Sequence, residues 1–388
     1  MNRNHKHHHI DALDGVRGLA VLMVLCYHAG GGAQSTNPIL HLIGIVNKLG
    51  WTGVTLFFVL SGFLITGILW DTREDPRHLR NFYARRSLRI FPLYYAALLL
   101  TLLGALQLHV FLAWARDLWV YLLYMQNIPP FDLHPAPLPS MLQVGHFWSL
   151  AVEEQFYLLW PFLLLRMKSL RTAEYLCLGV FIASTLCKIP YGLLSTYPTP
   201  ASDALWANAG SLAIGGYLAI SYRREGWARI QTVAPYILLI SFCAYFMERF
   251  SSASNRVHTI TDLPILSVFW ASLIVIALRP GIVQRAFQIK ALRWTGKISY
   301  GIYVYHVLLQ VYFEQFTVWL HPGWGYQAHH GVRFVVTVVF TFAISWLSFR
   351  YFESPISQLK RRFRSGSADI SSNHDPTEVL PAESILPA

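Results

Sequence analysis

Charged residues are scarce in this sequence. Only 13% of its 388 residues are charged and 54% are hydrophobic, whereas a soluble domain carries about twice that charge. The net charge of +11 would suit a nucleic-acid-binding protein if the basic residues formed a patch on a water-soluble face. Here they fall in short loops between apolar runs. The composition therefore predicts a protein embedded in membrane lipids, and it argues against nucleic acid as a partner.

Cysteine is also rare, and no two cysteines have the Cys-x-x-Cys spacing of a zinc or redox site. The N-terminal cluster His5 to His9 could bind a metal, yet a tag-like or interfacial segment explains it equally well. We therefore expect no bound metal. The cysteines all lie inside or beside apolar runs, which indicates small hydrophobic side chains: Cys26, Cys177, Cys187 and Cys243.

Long apolar runs recur along the chain, and each could cross about 30 Å of hydrocarbon. The run Leu118 to Met125 is too short to cross and precedes a proline-rich stretch, Pro129 to Pro139, so we interpret it as interfacial or re-entrant. The predicted fold is an all-α polytopic membrane protein of about ten transmembrane helices. These lie near residues 13–31, 51–70, 90–109, 147–165, 174–190, 204–221, 232–248, 262–278, 298–319 and 332–352.

The distribution of basic residues orients the predicted helices. With ten spans and a cytoplasmic N-terminus, twenty-five of the thirty-one lysines and arginines fall on the cytoplasmic side. This bias predicts that both termini are cytoplasmic. We divide the chain into a His-rich N-terminal end (1–10), a membrane domain (11–356) and a cytoplasmic tail (357–388), basic at first and then disordered.

The first predicted span carries unusual polar residues. Ionisable side chains near the centre of a span cost about 2.5 to 3.5 kcal/mol each, so those present are functional candidates. Arg17 and His28 are eleven residues apart, which places them on one helix face about 16 Å apart, and Asp14 joins that face. The alternative is that Arg17 snorkels as a topology anchor and His28 only hydrogen-bonds a neighbouring helix.

Two further pairs of ionisable residues are candidates for a functional site. Arg86 and Arg89 share one face if their segment is helical, a spacing suited to gripping phosphates. Taken alone, the pair is better explained as a topology anchor or a lipid-headgroup contact. Glu153 and Glu154 stand where a predicted span enters the bilayer from outside. The first turn of a helix favours one carboxylate there, and two exceed what the helix dipole explains.

Polar residues recur in the last two predicted spans. Ser299, Tyr303 and His306 share one face of the ninth span, and Glu353 closes the tenth, just before Pro355. His306 is equally well explained as a packed, hydrogen-bonded histidine. We regard Asp14, Tyr303, His306 and Glu353 as second-tier candidates.

These segments, in this order, resemble the acyltransferase-3 family of bacterial membrane O-acyltransferases over roughly residues 10 to 355. The family pattern of a basic residue, ten intervening residues and a histidine resembles Arg17 to His28. Each of the five blocks is weak alone, and their order makes the resemblance specific. The other four family blocks resemble Gly53 to Leu64, Arg86 to Arg89, Trp148 to Tyr157 and Ser299 to His306. The block at Trp148 to Tyr157 selects Glu153 rather than Glu154.

The resemblance implies transfer of an acetyl or other short acyl group from cytoplasmic acyl-CoA, a co-substrate rather than a bound cofactor. The implied acceptor is a hydroxyl of a surface polysaccharide, O-antigen, glycolipid or macrolide-like molecule, and the implied location is the bacterial inner membrane. Some members carry an added extracytoplasmic esterase-like domain; we expect none here, which leaves the acceptor class open.

With the predicted topology, the resemblance gives a mechanistic hypothesis. The cytoplasmic arginines Arg17, Arg86 and Arg89 hold the CoA phosphates. His28 acts as general base, and Glu153 orients its imidazole or stabilises its charged form.

Two other functions share some of these features. A transporter or flippase for a lipid-linked saccharide would share the spans and the buried polar groups. However, no Gly- or Pro-interrupted pair of spans repeats in two halves, as carriers usually show. A non-catalytic scaffold leaves the cost of the buried charges unexplained.

Overall fold

A computed structural model describes residues 10–30, 37–128, 144–190, 203–224, 227–250, 255–320 and 326–363, and within these ranges the regular structure is helical throughout. A helix satisfies all of its backbone hydrogen bonds internally, which an apolar chain in lipid requires. The predicted all-α class is therefore confirmed. The segments 1–9, 129–143 and 364–388 lie outside the described ranges, so the predicted His-rich end, the proline-rich stretch and most of the tail stay predictions.

The first half of the described chain forms seven α-helices. In chain order they are α1 (Asp11–Ala29), α2 (Pro38–Lys48), α3 (Thr52–Thr72), α4 (His78–Gln107), α5 (Phe111–Leu122), α6 (Trp148–Leu164) and α7 (Leu170–Leu186). The 12-residue helix α5 includes Leu118 to Leu122 of the run that we judged too short to cross, and it ends before Met125.

The helices of the second half complete the domain. They are α8 (Leu205–Ser221), α9 (Trp227–Phe250), α10 (Asn255–Leu278), α11 (Ile282–Phe287), α12 (Lys290–Lys297), α13 (Ser299–Leu308), α14 (Gln310–Leu320), α15 (Tyr326–Ser348), and, after a π-helical segment at Phe349–Glu353, α16 (Ser354–Gln358).

Every predicted span coincides with a helix, but the count of ten is not established. Seven helical segments of the described chain are long and apolar enough to cross a membrane. The other three predicted spans correspond to α6 and α8, of 17 residues each, and to the pair α13 and α14. The pair is divided at Leu309, although Leu309 N–H still donates to the Tyr305 carbonyl at 3.0 Å. The sidedness of the termini stays a prediction.

Glycines allow the central helices to touch backbone to backbone. A Cβ added at Gly62 of α3 would lie 1.8 Å from the Leu212 carbonyl oxygen of α8, and one at Gly215 would lie 1.9 Å from the Val59 oxygen. Helix α1 meets α12 in the same way, because a Cβ at Gly296 would lie 1.9 Å from the Asp14 oxygen. Small residues at such crossings are typical of membrane helix packing. They place α1 and α3 at the centre of the domain.

Candidate active site

A pocket lies where α1, α3, α4, α6 and α13 meet, and its empty space is about 750 Å³ when the solvent at its opening is included. Each of these helices contributes a polar side chain to a lining that is otherwise apolar and aromatic. The polar residues that matter for its chemistry are Arg17, Ser61, Arg86, Arg89, Glu153 and Tyr303.

Three arginines make one side of this pocket cationic. Arg17 pairs with Asp14 one turn earlier in α1, at 3.2 Å. The Arg86 guanidinium lies 4.2 Å from the centre of the Tyr157 ring, a cation–π contact. Arg89 is exposed at the pocket mouth. Among the described residues the buried Nε of Arg86 has no hydrogen-bond partner, so the cluster retains unused donor capacity for an anionic ligand.

Glu153 is held inside the same pocket. Its Oε1 accepts a 2.7 Å hydrogen bond from the Ser61 hydroxyl, and its Oε2 accepts a 2.8 Å bond from the Tyr157 hydroxyl. The carboxylate also interacts electrostatically with Arg17 and Arg86. In the described structure its hydrogen bonds do not include His28. Glu153 is therefore placed to balance the arginines and not to orient the imidazole.

Tyr303 connects the pocket to a second group of polar residues. Its hydroxyl donates to the His146 carbonyl oxygen at 2.8 Å and also contacts the Ser149 hydroxyl. Its ring centre lies 5.5 Å from that of His146 and 5.6 Å from that of His306. Tyr303 thus separates the arginine-lined pocket from a cluster of imidazoles.

This imidazole cluster consists of His28, His146 and His306. His306 lies in the middle, with its ring centre 4.9 Å from that of His28 and 5.2 Å from that of His146. His306 is only 1% exposed. His28 stands eleven residues after Arg17 in the continuous helix α1. The imidazole cluster and the arginine-lined pocket therefore meet α1 at two positions about three turns apart.

Glu353 belongs to a hydrogen-bond chain beside the pocket. Tyr305 donates to the Ser348 hydroxyl at 3.2 Å, and Ser348 donates to Glu353 at 2.9 Å. Glu353 also interacts electrostatically with Arg89. The structure therefore places this second-tier candidate within electrostatic reach of Arg89, at the end of the π-helical segment.

A second polar cluster in the described chain offers metal-type ligands. Glu248, His258 and Asp262 present ligand atoms within 4.8 Å of one another. However, Arg249 already forms an ion pair with Asp262, and His258 Nδ1 lies 2.9 Å from a Glu248 oxygen. An arginine at this position competes with a cation, so we assign no ion to the cluster.

Sequence reasoning missed His146 and Ser61. His146 stands two residues before the Trp148 to Tyr157 block, and a histidine at the entry to an apolar helix is itself a signal. Ser61 lies inside the Gly53 to Leu64 block, but a single serine in an apolar span gives no indication of its partner.

The sequence was compared with protein families, curated proteins and solved structures. The acyltransferase-3 model, described as an acyltransferase domain, matches residues 10–350. Peptidoglycan O-acetyltransferase OatA of Listeria monocytogenes is 28% identical over 90% of this chain and 56% of its own length. O-acetyltransferase OatA of Staphylococcus aureus is 26% identical over 90% of this chain and 57% of its own length.

The chain thus spans little more than half the length of these relatives. No solved structure matches it. The family match covers most of the chain and includes the pocket and the imidazole cluster. The protein is a multi-pass membrane protein that belongs to the acyltransferase-3 family.

Proposed function

We propose that the protein transfers an acetyl or other short acyl group from cytoplasmic acyl-CoA to a hydroxyl of a carbohydrate-type acceptor at the outer side of a bacterial cytoplasmic membrane. Family membership makes the chain an acyltransferase, so the alternative of a transporter or flippase is set aside. The observation that carries the proposal is the gathering of Arg17, Arg86 and Arg89 around one pocket beside the helix that bears His28.

The arginine cluster suits the polyanionic end of acyl-CoA. Guanidinium groups form charge-assisted and often bidentate bonds to phosphate. Glu153 offsets part of their charge, and its two fixed hydrogen bonds hold it in place. Arg89 at the mouth makes the first contact with the CoA phosphates. The acyl-bearing arm extends along α1 from Arg17 towards His28, and the helical rise between these two residues is about 16 Å.

His28 supplies the base in this scheme. The acceptor hydroxyl gives its proton to the unprotonated ring nitrogen while its oxygen attacks the thioester carbonyl carbon. The carbon–sulfur bond then breaks, and the leaving thiolate takes the proton from the imidazolium. The products are the acyl ester and free CoA thiol, and His28 returns to its neutral form.

The relatives indicate which acceptor to test first. The Listeria relative is called a peptidoglycan O-acetyltransferase, so peptidoglycan fragments are the first acceptor to test. O-antigen polysaccharide, a glycolipid and a macrolide test the other acceptor classes.

The test uses the full chain in proteoliposomes, with radiolabelled acetyl-CoA supplied on the predicted cytoplasmic side and each acceptor on the other. We expect alkali-labile label on one carbohydrate acceptor and no label with protein-free vesicles. Release of free acetate with no labelled acceptor would indicate a hydrolase and contradict the proposal. Acceptor translocation without label transfer would restore the carrier alternative.

A further inference from the structure

The ring of His28 is held at one nitrogen. Its Nδ1 lies 3.0 Å from the Val24 carbonyl oxygen and 3.2 Å from Nε2 of His306. The carbonyl oxygen can only accept, so a hydrogen bond there requires a proton on Nδ1. That proton can be shared between the oxygen and the His306 nitrogen, because three-centre hydrogen bonds are common in helices.

The ring of His306 is fixed in the complementary form. Its Nδ1 lies 2.8 Å from the Tyr303 carbonyl oxygen and 3.1 Å from that of Ile302. Both partners are acceptors, so Nδ1 of His306 carries the proton. In a neutral imidazole the other nitrogen is then a pure acceptor. Nε2 of His306 therefore presents a lone pair to His28 Nδ1.

The surroundings keep both rings in place. His146 also packs against His306, and its Nε2 lies 3.3 Å from the Val304 carbonyl oxygen. Gln310 donates from its side-chain amide to the His28 carbonyl oxygen at 3.0 Å, which ties the end of α1 to α14.

The carboxylate expected to orient His28 is engaged elsewhere, because Ser61 and Tyr157 occupy both oxygens of Glu153. The arrangement around His28 leaves Nε2 as its basic nitrogen.

We propose that His306 is the positioning residue of this acyltransferase: its Nε2 accepts from Nδ1–H of His28 and so fixes the tautomer and orientation in which His28 Nε2 receives the proton of the acceptor hydroxyl. A base oriented by a third group is the general logic of activated nucleophiles. Here an imidazole fills the place often taken by a carboxylate. The inference rests on the proposed function, since it assigns a partner to the proposed base.

The experiment compares His306→Gln, His306→Phe and the control His41→Phe. The Gln side chain can offer an acceptor oxygen near the position of Nε2, whereas Phe keeps the ring volume without an acceptor. His41→Phe makes the same change at an exposed position of α2 that does not line the pocket. Acyl transfer, the KM for acetyl-CoA and thermal stability are measured for each variant in detergent or nanodiscs.

We expect His306→Phe to lower kcat at least about tenfold, the scale of one lost hydrogen bond, with the KM for acetyl-CoA unchanged within about twofold. His306→Gln should recover most of that loss, and His41→Phe should leave kcat near the wild-type value. Unchanged kcat in a folded His306→Phe variant would overturn the proposal. An equal loss in folded Gln and Phe variants would also overturn it, because the accepting atom would then be irrelevant.

A spectroscopic measurement tests the tautomer without turnover. The histidines are labelled with ¹⁵N. The signals that disappear from the spectrum of His28→Ala are assigned to His28. We expect the proton on Nδ1 of His28 in the neutral wild-type protein, and a proton on Nε2 would overturn the inference. If wild type transfers no acyl group to any acceptor while Nδ1 carries the proton, the proposed function fails and the structural assignment of His28 stands.

Discussion

The guanidinium of Arg86 lies 4.2 Å above the ring of Tyr157. The hydroxyl of the same ring donates to Glu153 at 2.8 Å, so one side chain of α6 contacts the cation by its face and the anion by its edge. This relationship joins the Arg86 and Arg89 pair to Glu153 in a single pocket. Each of these contacts can be removed separately by mutation.

Removal of the Tyr157 hydroxyl tests the importance of Glu153. Tyr157→Phe keeps the ring under Arg86 and deletes the bond to the carboxylate. Hydrogen bonds to charged groups contribute about 1.5 to 3 kcal/mol, and the freed carboxylate oxygen can pair with the arginines in place of a CoA phosphate. We therefore expect acyl-CoA to bind roughly 10- to 150-fold more weakly, as measured by isothermal titration. The matched control is Tyr83→Phe, which removes a 3.1 Å bond to the Leu158 carbonyl oxygen. Equal affinity of Tyr157→Phe and wild type for acyl-CoA would make the Glu153 contact merely structural.

Arg89 should contribute to binding more than to chemistry. Arg89→Gln removes a cation from the pocket mouth, so we expect acyl-CoA to bind about tenfold or more weakly, as measured by isothermal titration. Arg85, four residues earlier in α4, is exposed and does not line the pocket. An equal loss of affinity in Arg85→Gln would point to general electrostatic attraction in place of a defined phosphate site.

The close approach of α3 and α8 predicts a stability effect. Gly62→Ala would place a Cβ 1.8 Å from the Leu212 carbonyl oxygen, so the backbones must separate, at a cost of about 1 to 3 kcal/mol or more. At Gly179 of α7 a Cβ meets nothing within 4 Å, and Gly179→Ala should be neutral or slightly stabilising. Thermal unfolding in detergent compares the two variants, and equal melting temperatures would contradict the close crossing.

The predicted topology can be tested at two exposed positions. Glu74 lies in the turn between α3 and α4, and Lys48 ends α2. In a cysteine-free background on intact cells, we expect a membrane-impermeant maleimide to label Lys48→Cys and to leave Glu74→Cys unlabelled until the cells are permeabilised. The reverse pattern would place the arginine cluster outside, away from cytoplasmic acyl-CoA.

The helices could be predicted from the sequence because length and apolar composition largely determine them. The run from 51 to 70 corresponds to α3 and that from 204 to 221 to α8. The number of spans was less predictable, since α6 and α8 are only 17 residues long and α13 is separated from α14. Whether such helices cross depends on their packing against neighbours, which a single sequence does not express.

The pocket was only partly accessible to the same reasoning. The cost of burying charge indicated Arg17 and the pair Glu153 and Glu154, and the structure brings all three into one pocket. The choice of Glu153 over Glu154 came from the family resemblance. The spacing of Arg86 and Arg89 predicted that they share one face of a helix, and both line the pocket. The position of the Tyr157 ring under Arg86 could not be predicted, because it depends on the contact between two helices.

The approach of His306 to His28 joins residues 278 positions apart. The pattern indicated each of these residues separately, and it gave no indication that they meet.

The most direct test of the account is acyl transfer by wild type and His28→Ala, with labelled acetyl-CoA, the responsive acceptor, and His41→Ala, a change at an exposed position of α2, as the control. A general base contributes about 10² to 10⁴ in rate. We therefore expect His28→Ala to lose that factor in turnover while it binds CoA as tightly as wild type. Equal turnover by His28→Ala and wild type would contradict the central claim that His28 is the base.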